Sequence, residues 1–121
     1  MVKIDIKPLS VNKAYRGRRF ASADLKSFKQ ELFVLLNMDS KVGMNSKNGL
    51  VIPKGKLQVK YEFGCSSKGS DGDNLIKAFQ DCLTEFYRFN DNKIYKWIVE
   101  KVDIKKGQEY IKFDIKSYEK N

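Results

Sequence analysis

The chain has 121 residues, 41% hydrophobic and 32% charged, and 24 Lys and Arg against 15 Asp and Glu leave a formal charge of +9 at pH 7. That length holds one compact core with little left for a second, the composition argues against global disorder, and the charge favours a polyanionic partner, nucleic acid first. No apolar run approaches the ~20 residues that span a bilayer, and Met1-Val2-Lys3-Ile4-Asp5 lacks the apolar core of a secretory leader, so the expected location is the cytoplasm.

Val2, Ile4 and Ile6 alternate with Lys3, Asp5 and Lys7, the period of a half-buried strand, which Pro8 is expected to end. Residues 9–20 carry Asn12, Lys13, Tyr15, Arg16, Gly17, Arg18 and Arg19 and read as a basic loop. A helix follows, with Ser22 as its cap and Leu25, Phe28, Leu32, Leu35 and Leu36 at three-to-four-residue spacing. The Asn, Ser, Gly and Lys of residues 37–55, with Pro53, predict a long mobile loop. Leu57, Val59, Tyr61 and Phe63 alternate as a second strand that runs into a flexible connection over 64–70.

The second helix is the most strongly patterned element. Leu75, Ile76, Phe79, Cys82, Leu83 and Phe86 share one face, with Asp73, Lys77, Asp81 and Thr84 roughly opposite, so Cys82 reads as core. After a polar turn at 90–92 come a β-rich run over 94–104 and the alternation of Ile111, Phe113 and Ile115, expected to form a hairpin through Lys105-Lys106-Gly107. The order βαβαββ predicts an α+β fold in one domain spanning 1–121, with two helices packed on a mixed sheet.

Histidine is absent, and Cys65 and Cys82 are the only cysteines, without Cys-x-x-Cys spacing. Zinc and iron-sulfur sites therefore lack soft ligands, and a catalytic metal must be held by oxygen. Hydrolases that activate Ser or Cys with an imidazole are excluded. Ser70-Asp71-Gly72-Asp73-Asn74 places two carboxylates one residue apart at the entry to the second helix. In an extended segment they project to one side and can share a cation, and magnesium suits such hard donors. The same residues also read as a helix cap and the turn before it. Asp91 sits in Asn90-Asp91-Asn92 just before a strand, where an Asx turn is the plainer reading. If that strand pairs beside the second one, the turn returns Asp91 towards the helix start. Lys77 lies one helical turn after Asp73, within reach of its carboxylate or of a bound phosphate; otherwise it makes a surface ion pair worth ~0.3–0.5 kcal/mol.

The string Asp71-Gly72-Asp73-Asn74-Leu75-Ile76-Lys77-Ala78-Phe79-Gln80-Asp81-Cys82-Leu83, followed by Asn90-Asp91-Asn92-Lys93-Ile94, closely resembles the core signature of the RusA-type Holliday-junction resolvases. In that family an Asp-x-Asp-Asn opens a helix bearing Lys and Asp at fixed later positions, and an acidic turn precedes a strand. Pro8-Leu9-Ser10-Val11-Asn12-Lys13-Ala14-Tyr15-Arg16 resembles the family's N-terminal segment, so the likeness covers most of the chain, with no counterpart for the 37–55 loop.

The resemblance implies a homodimeric endodeoxyribonuclease that cuts four-way DNA junctions in recombination and repair, using magnesium with manganese as a substitute. A phage-borne gene, acting in a host cytoplasm, fits the same likeness. It also implies that Asp71, Asp73 and Asp91 are the metal-binding carboxylates and Lys77 the catalytic lysine. The chain departs from the family at Asn90, where a second acid is usual; the match of Asp91 assumes alignment through Ile94. On this reading Asn12, Lys13, Tyr15, Arg16, Arg18 and Arg19 form the DNA-binding segment, with the cations on phosphates and Tyr15 on an opened base. The alternatives are a nuclease of relaxed specificity for flaps, forks or single strands, and a non-catalytic DNA-binding module.

Overall fold

The computed structural model describes residues 1–9, 23–38, 51–66 and 72–119, and for 38 and 72–74 the backbone alone. Its centre is the strand whose alternation is longest. β1 (Val2–Ile4) lies at one edge of a four-stranded sheet, β2 (Leu57–Cys65) lies inside it, β3 (Ile94–Asp103) forms the other edge, and β4 (Tyr110–Ser117) fills the place between β1 and β2. β2 pairs in parallel with β3 and antiparallel with β4, which pairs antiparallel with β1. A parallel pair cannot be closed by a tight turn, and the crossover it needs is the helix between β2 and β3.

That helix and the one preceding β2 cover a single face of the sheet. Helix α1 (Ala23–Met38) turns Leu25, Phe28, Leu32 and Leu36 inward, and helix α2 (Gly72–Tyr87) turns Leu75, Ala78, Phe79, Cys82, Leu83, Phe86 and Tyr87 inward. They meet Leu57, Val59, Tyr61 and Phe63 of β2 and Ile111, Phe113 and Ile115 of β4 in one core. Phe79 stands edge-on to three rings, with centroids 5.3 Å from Tyr61, 5.9 Å from Phe63 and 5.6 Å from Phe113. The helices touch each other through Phe33 and Phe86, 5.1 Å apart, and through Lys29 and Glu85 at 2.6 Å. The chain thus has the α+β architecture expected of it, two helices on a mixed sheet. Among the described residues no helix is long and apolar enough to cross a membrane.

The other face of the sheet is polar. There Tyr110 donates its hydroxyl to Glu62 at 2.6 Å, and Lys112 lies 3.7 Å from the same carboxylate. A Cβ at Gly64 would overlap the Tyr110 ring, so glycine lets β2 continue beneath it to Cys65. Residues 64 and 65, expected in the flexible connection, pair in the sheet instead, and 67–71 lie outside the described residues.

The expected β3–β4 hairpin does not form. β2, with both edges paired, lies between the two strands, and residues 104–109 carry the chain across its end, where Ile104 N–H donates to Cys65 O at 3.0 Å. The physical reason is burial: β2 buries most of its side chains and takes an interior place, whereas β3 exposes most of its own and suits an edge. Smaller differences follow from packing. β1 stops at Ile4, although Ile6 remains buried, and α1 runs through Asn37 to Met38, two residues that were expected in the loop. Ser22 and residues 39–50 lie outside the described residues.

Helix α2 ends in a Schellman turn: Phe89 N–H donates to Thr84 O at 3.1 Å while Arg88 takes φ 57°. A side chain in that left-handed region is strained by roughly 1–2 kcal/mol. Arg88 is exposed, so Arg88→Gly is expected to raise stability by about 1 kcal/mol, read as a higher urea midpoint with an unchanged slope. A fall in midpoint would contradict the αL assignment.

Burial sets the alkaline limit of the fold. It pushes the Cys82 thiol up to about 12 and, with Asp91's negative charge adding to the effect, raises the Tyr61 hydroxyl above its ordinary value. Both groups hold their protons more tightly folded than unfolded, so their contribution is complete below about pH 9 and is lost as pH rises through their folded values. The urea midpoint is expected to be lower at pH 11 than at pH 8, and native Cys82 to resist alkylation at pH 8 until denaturant is added.

Candidate active site

The turn after α2 is built around Asn90 and Ile94. Asn90 caps a short 3-10 helix over Asp91–Lys93, its side-chain oxygen accepting from Asn92 N–H at 3.0 Å, while Lys93 N–H donates to Asn90 O at 3.1 Å. Ile94 is 4% exposed and pairs with Leu57, which anchors the far end of the turn in the core. Asn90 thus spends its oxygen on the backbone, and Asp91, exposed, lines a cleft with Ile76, Lys77, Gln80, Asp81 and Trp97. The cleft holds about 320 Å³ and is open to solvent.

Two elements therefore bring Asp91 and Lys77 to one site. Parallel pairing of β2 and β3 meets the condition set for the return of Asp91, and the turn brings it beside the second and third turns of α2, at Ile76, Lys77, Gln80 and Asp81. Lys77 sits 3.7 Å from Asp81, one turn on, both partly exposed, a pair of small energetic worth in solvent. Asp73 occupies the first turn of α2, four residues before Lys77, which is about 6 Å along the helix axis and on the same side. Its side chain, Asp71, and the basic candidates Asn12, Lys13, Tyr15, Arg16, Arg18 and Arg19 lie outside the described residues.

The floor of the cleft is a small polar network that the sequence pattern did not disclose. Gln80 is 9% exposed, and its Oε1 accepts from Tyr61 Oη at 3.0 Å and from Trp97 Nε1 at 2.8 Å. A buried amide needs such partners, since an unsatisfied one costs about 1–3 kcal/mol. The signal for its burial was present in the neighbours: Ile76 one turn before and Leu83 one turn after place Gln80 at the shoulder of the apolar stripe. Trp97 reaches Gln80 through a bulge. Ile94 pairs with Leu57 but Lys96 pairs with Gln58, so Tyr95 is an extra residue and the strand changes phase. Without it, Trp97 would stand opposite Lys60 on the polar face.

The donors suit a hard cation. Asp81 and Asp91 offer oxygen, the sequence has no histidine, and both cysteines are buried thiols held protonated by that burial. Among the described residues no three His, Cys, Asp or Glu side chains converge on a metal position. A hollow of about 510 Å³ beside α1, lined by residues such as Lys7, Asp24 and Glu31, brings together none of the expected site residues.

No protein-family model matches the chain, and no curated protein matches it.

Proposed function

We propose that the chain is a magnesium-dependent endodeoxyribonuclease that hydrolyses phosphodiester bonds in branched DNA, four-way junctions above all. The observation that carries this reading is the shared cleft of Asp91 and Lys77, residues from separate elements, with Asp73 four residues before Lys77 on the same helix. Asp71, Asp73 and Asp91 are assigned as the metal carboxylates, for which manganese serves as well as magnesium. Once bound, the metal supplies activation of a water and neutralisation of charge on the leaving oxygen. Lys77 stabilises negative charge that develops on the phosphate or orients the attacking water. The +9 charge supports a DNA partner. Cutting paired strands symmetrically calls for two sites related by a two-fold axis, hence a homodimer.

The test compares the parent with Asp73→Asn on a labelled four-way junction, a flap and a linear duplex in magnesium. The parent is expected to cut the junction fastest, and the variant to bind the junction but cut it at least about 100-fold more slowly, the loss usual for a group that stabilises the transition state. Undiminished cleavage by the folded variant overturns the metal site. Duplex cleavage as fast as junction cleavage overturns the resolvase specificity and leaves a general nuclease.

A further inference from the structure

The one tryptophan of the chain is held in an unusual way. Trp97 is 47% exposed, yet its ring nitrogen is tied to Gln80, a residue that is itself 9% exposed. The indole N–H can only donate, so the Gln80 oxygen must face it, and the Tyr61 hydroxyl fixes the same oxygen from the neighbouring strand. The indole therefore hangs from a clamped amide. Its polar atom is satisfied, its orientation is fixed, and the β3 bulge presents it at the cleft that holds Asp91 and Lys77. What remains uncovered is aromatic surface. Lys77 lines the same cleft, and Lys93 stands exposed on the turn that carries Asp91.

We propose that the uncovered face of Trp97 is a stacking platform for an unpaired DNA base, placed beside Asp91 and Lys77, with Gln80 as the residue that positions the ring. The assignment rests on the nuclease reading for its polyanion. Three features point to a base. A flat π surface with no free donor recognises another π face rather than a hydrogen-bonding group. A base stacked there brings its phosphates towards Lys77 of the same cleft, in a chain of net charge +9. A ring already locked by Gln80 loses little freedom when a base lands on it. A branch point, where pairing is interrupted, offers such a base; a continuous duplex does not.

The experiment uses Trp97 as its own reporter. The protein is titrated in EDTA, where cleavage is suppressed, with a four-way junction, a single-stranded oligonucleotide, a linear duplex and poly-glutamate. Indole emission is expected to be quenched by the junction and the single strand and unchanged by the duplex and the polypeptide. In anisotropy with a labelled junction, Trp97→Ala is expected to bind roughly 5- to 150-fold more weakly, the affinity carried by one base stack. Trp97→Phe, which keeps a ring, is expected to recover most of that loss. No quenching at saturating junction, equal quenching by poly-glutamate, or parental affinity in Trp97→Ala each overturns the platform. Cleavage in magnesium and in manganese is scored separately. A protein that binds and quenches but never cuts overturns the nuclease reading while the platform stands. Parental cleavage together with parental affinity in Trp97→Ala overturns the platform while the nuclease reading stands.

Discussion

Asp91→Asn is expected to fold as the parent does and to lose at least about 100-fold in junction cleavage, equivalent to ~2.7 kcal/mol of transition-state stabilisation. Asp91 is exposed, and among the described residues its carboxylate has no hydrogen-bond or ion-pair partner, so its removal disturbs little packing. A surface change of that kind stays within about 0.5 kcal/mol in stability. Asn90→Ala is the companion variant. It removes the oxygen that accepts from Asn92 N–H, so it is expected to cost about 1 kcal/mol in stability and to leave cleavage within a few-fold of the parent. Single-turnover rates on a labelled junction, read beside thermal unfolding of both variants, check the pair. The opposite pattern, with cleavage lost at Asn90 and kept at Asp91, would move the third ligand to Asn90.

Phe79→Ala is expected to be the most destabilising single truncation in the core. The ring is 1% exposed and meets Tyr61, Phe63 and Phe113 edge-on, so its loss leaves a cavity bounded by three aromatic rings on two strands, which cannot all relax into it. Truncations of this kind cost about 3–5 kcal/mol. A chain of this length has a total stability of roughly 6–18 kcal/mol. The urea midpoint is expected to fall by at least about 1 M, while Phe79→Leu, which refills part of the space, is expected to lose less than half as much. The effect extends to the cleft, because Tyr61 packs on Phe79 and holds Gln80. A midpoint shift under about 0.3 M would show that the aromatic cluster is not the centre of the core.

Much of the architecture was legible residue by residue. Leu57, Val59, Tyr61 and Phe63 alternate because one face of β2 is buried and the other is not; Leu25, Phe28, Leu32 and Leu36 recur at helical spacing for the same reason. These periods are local consequences of burial, and they fixed the helices, the strands, most of the core and the α+β class. The chemistry of a site was legible in part: with no histidine and two scattered cysteines a metal would need oxygen ligands, whereas the choice of Asp71, Asp73, Asp91 and Lys77 among many carboxylates and lysines rested on a resemblance of motif.

Adjacency was not legible. A period of two tells which side of a strand meets the core, but not which strand lies beside it, so the closeness of β3 and β4 in sequence suggested a hairpin where β2 in fact intervenes. Nor does a period reveal a bulge: one extra residue at Tyr95 reverses every later side chain and sends Trp97 to the helix side of the sheet. Gln80 followed the same rule, a polar residue buried because its two partners come from other elements. The sequence by itself determined the elements and the inventory of charged groups, since both depend on neighbours a few residues away. Only the tertiary structure decided that Asp91 shares a cleft with Lys77, that Asn90 serves the backbone, and that Trp97 stands over Gln80, because each of these depends on which strand pairs with β2 and in what register.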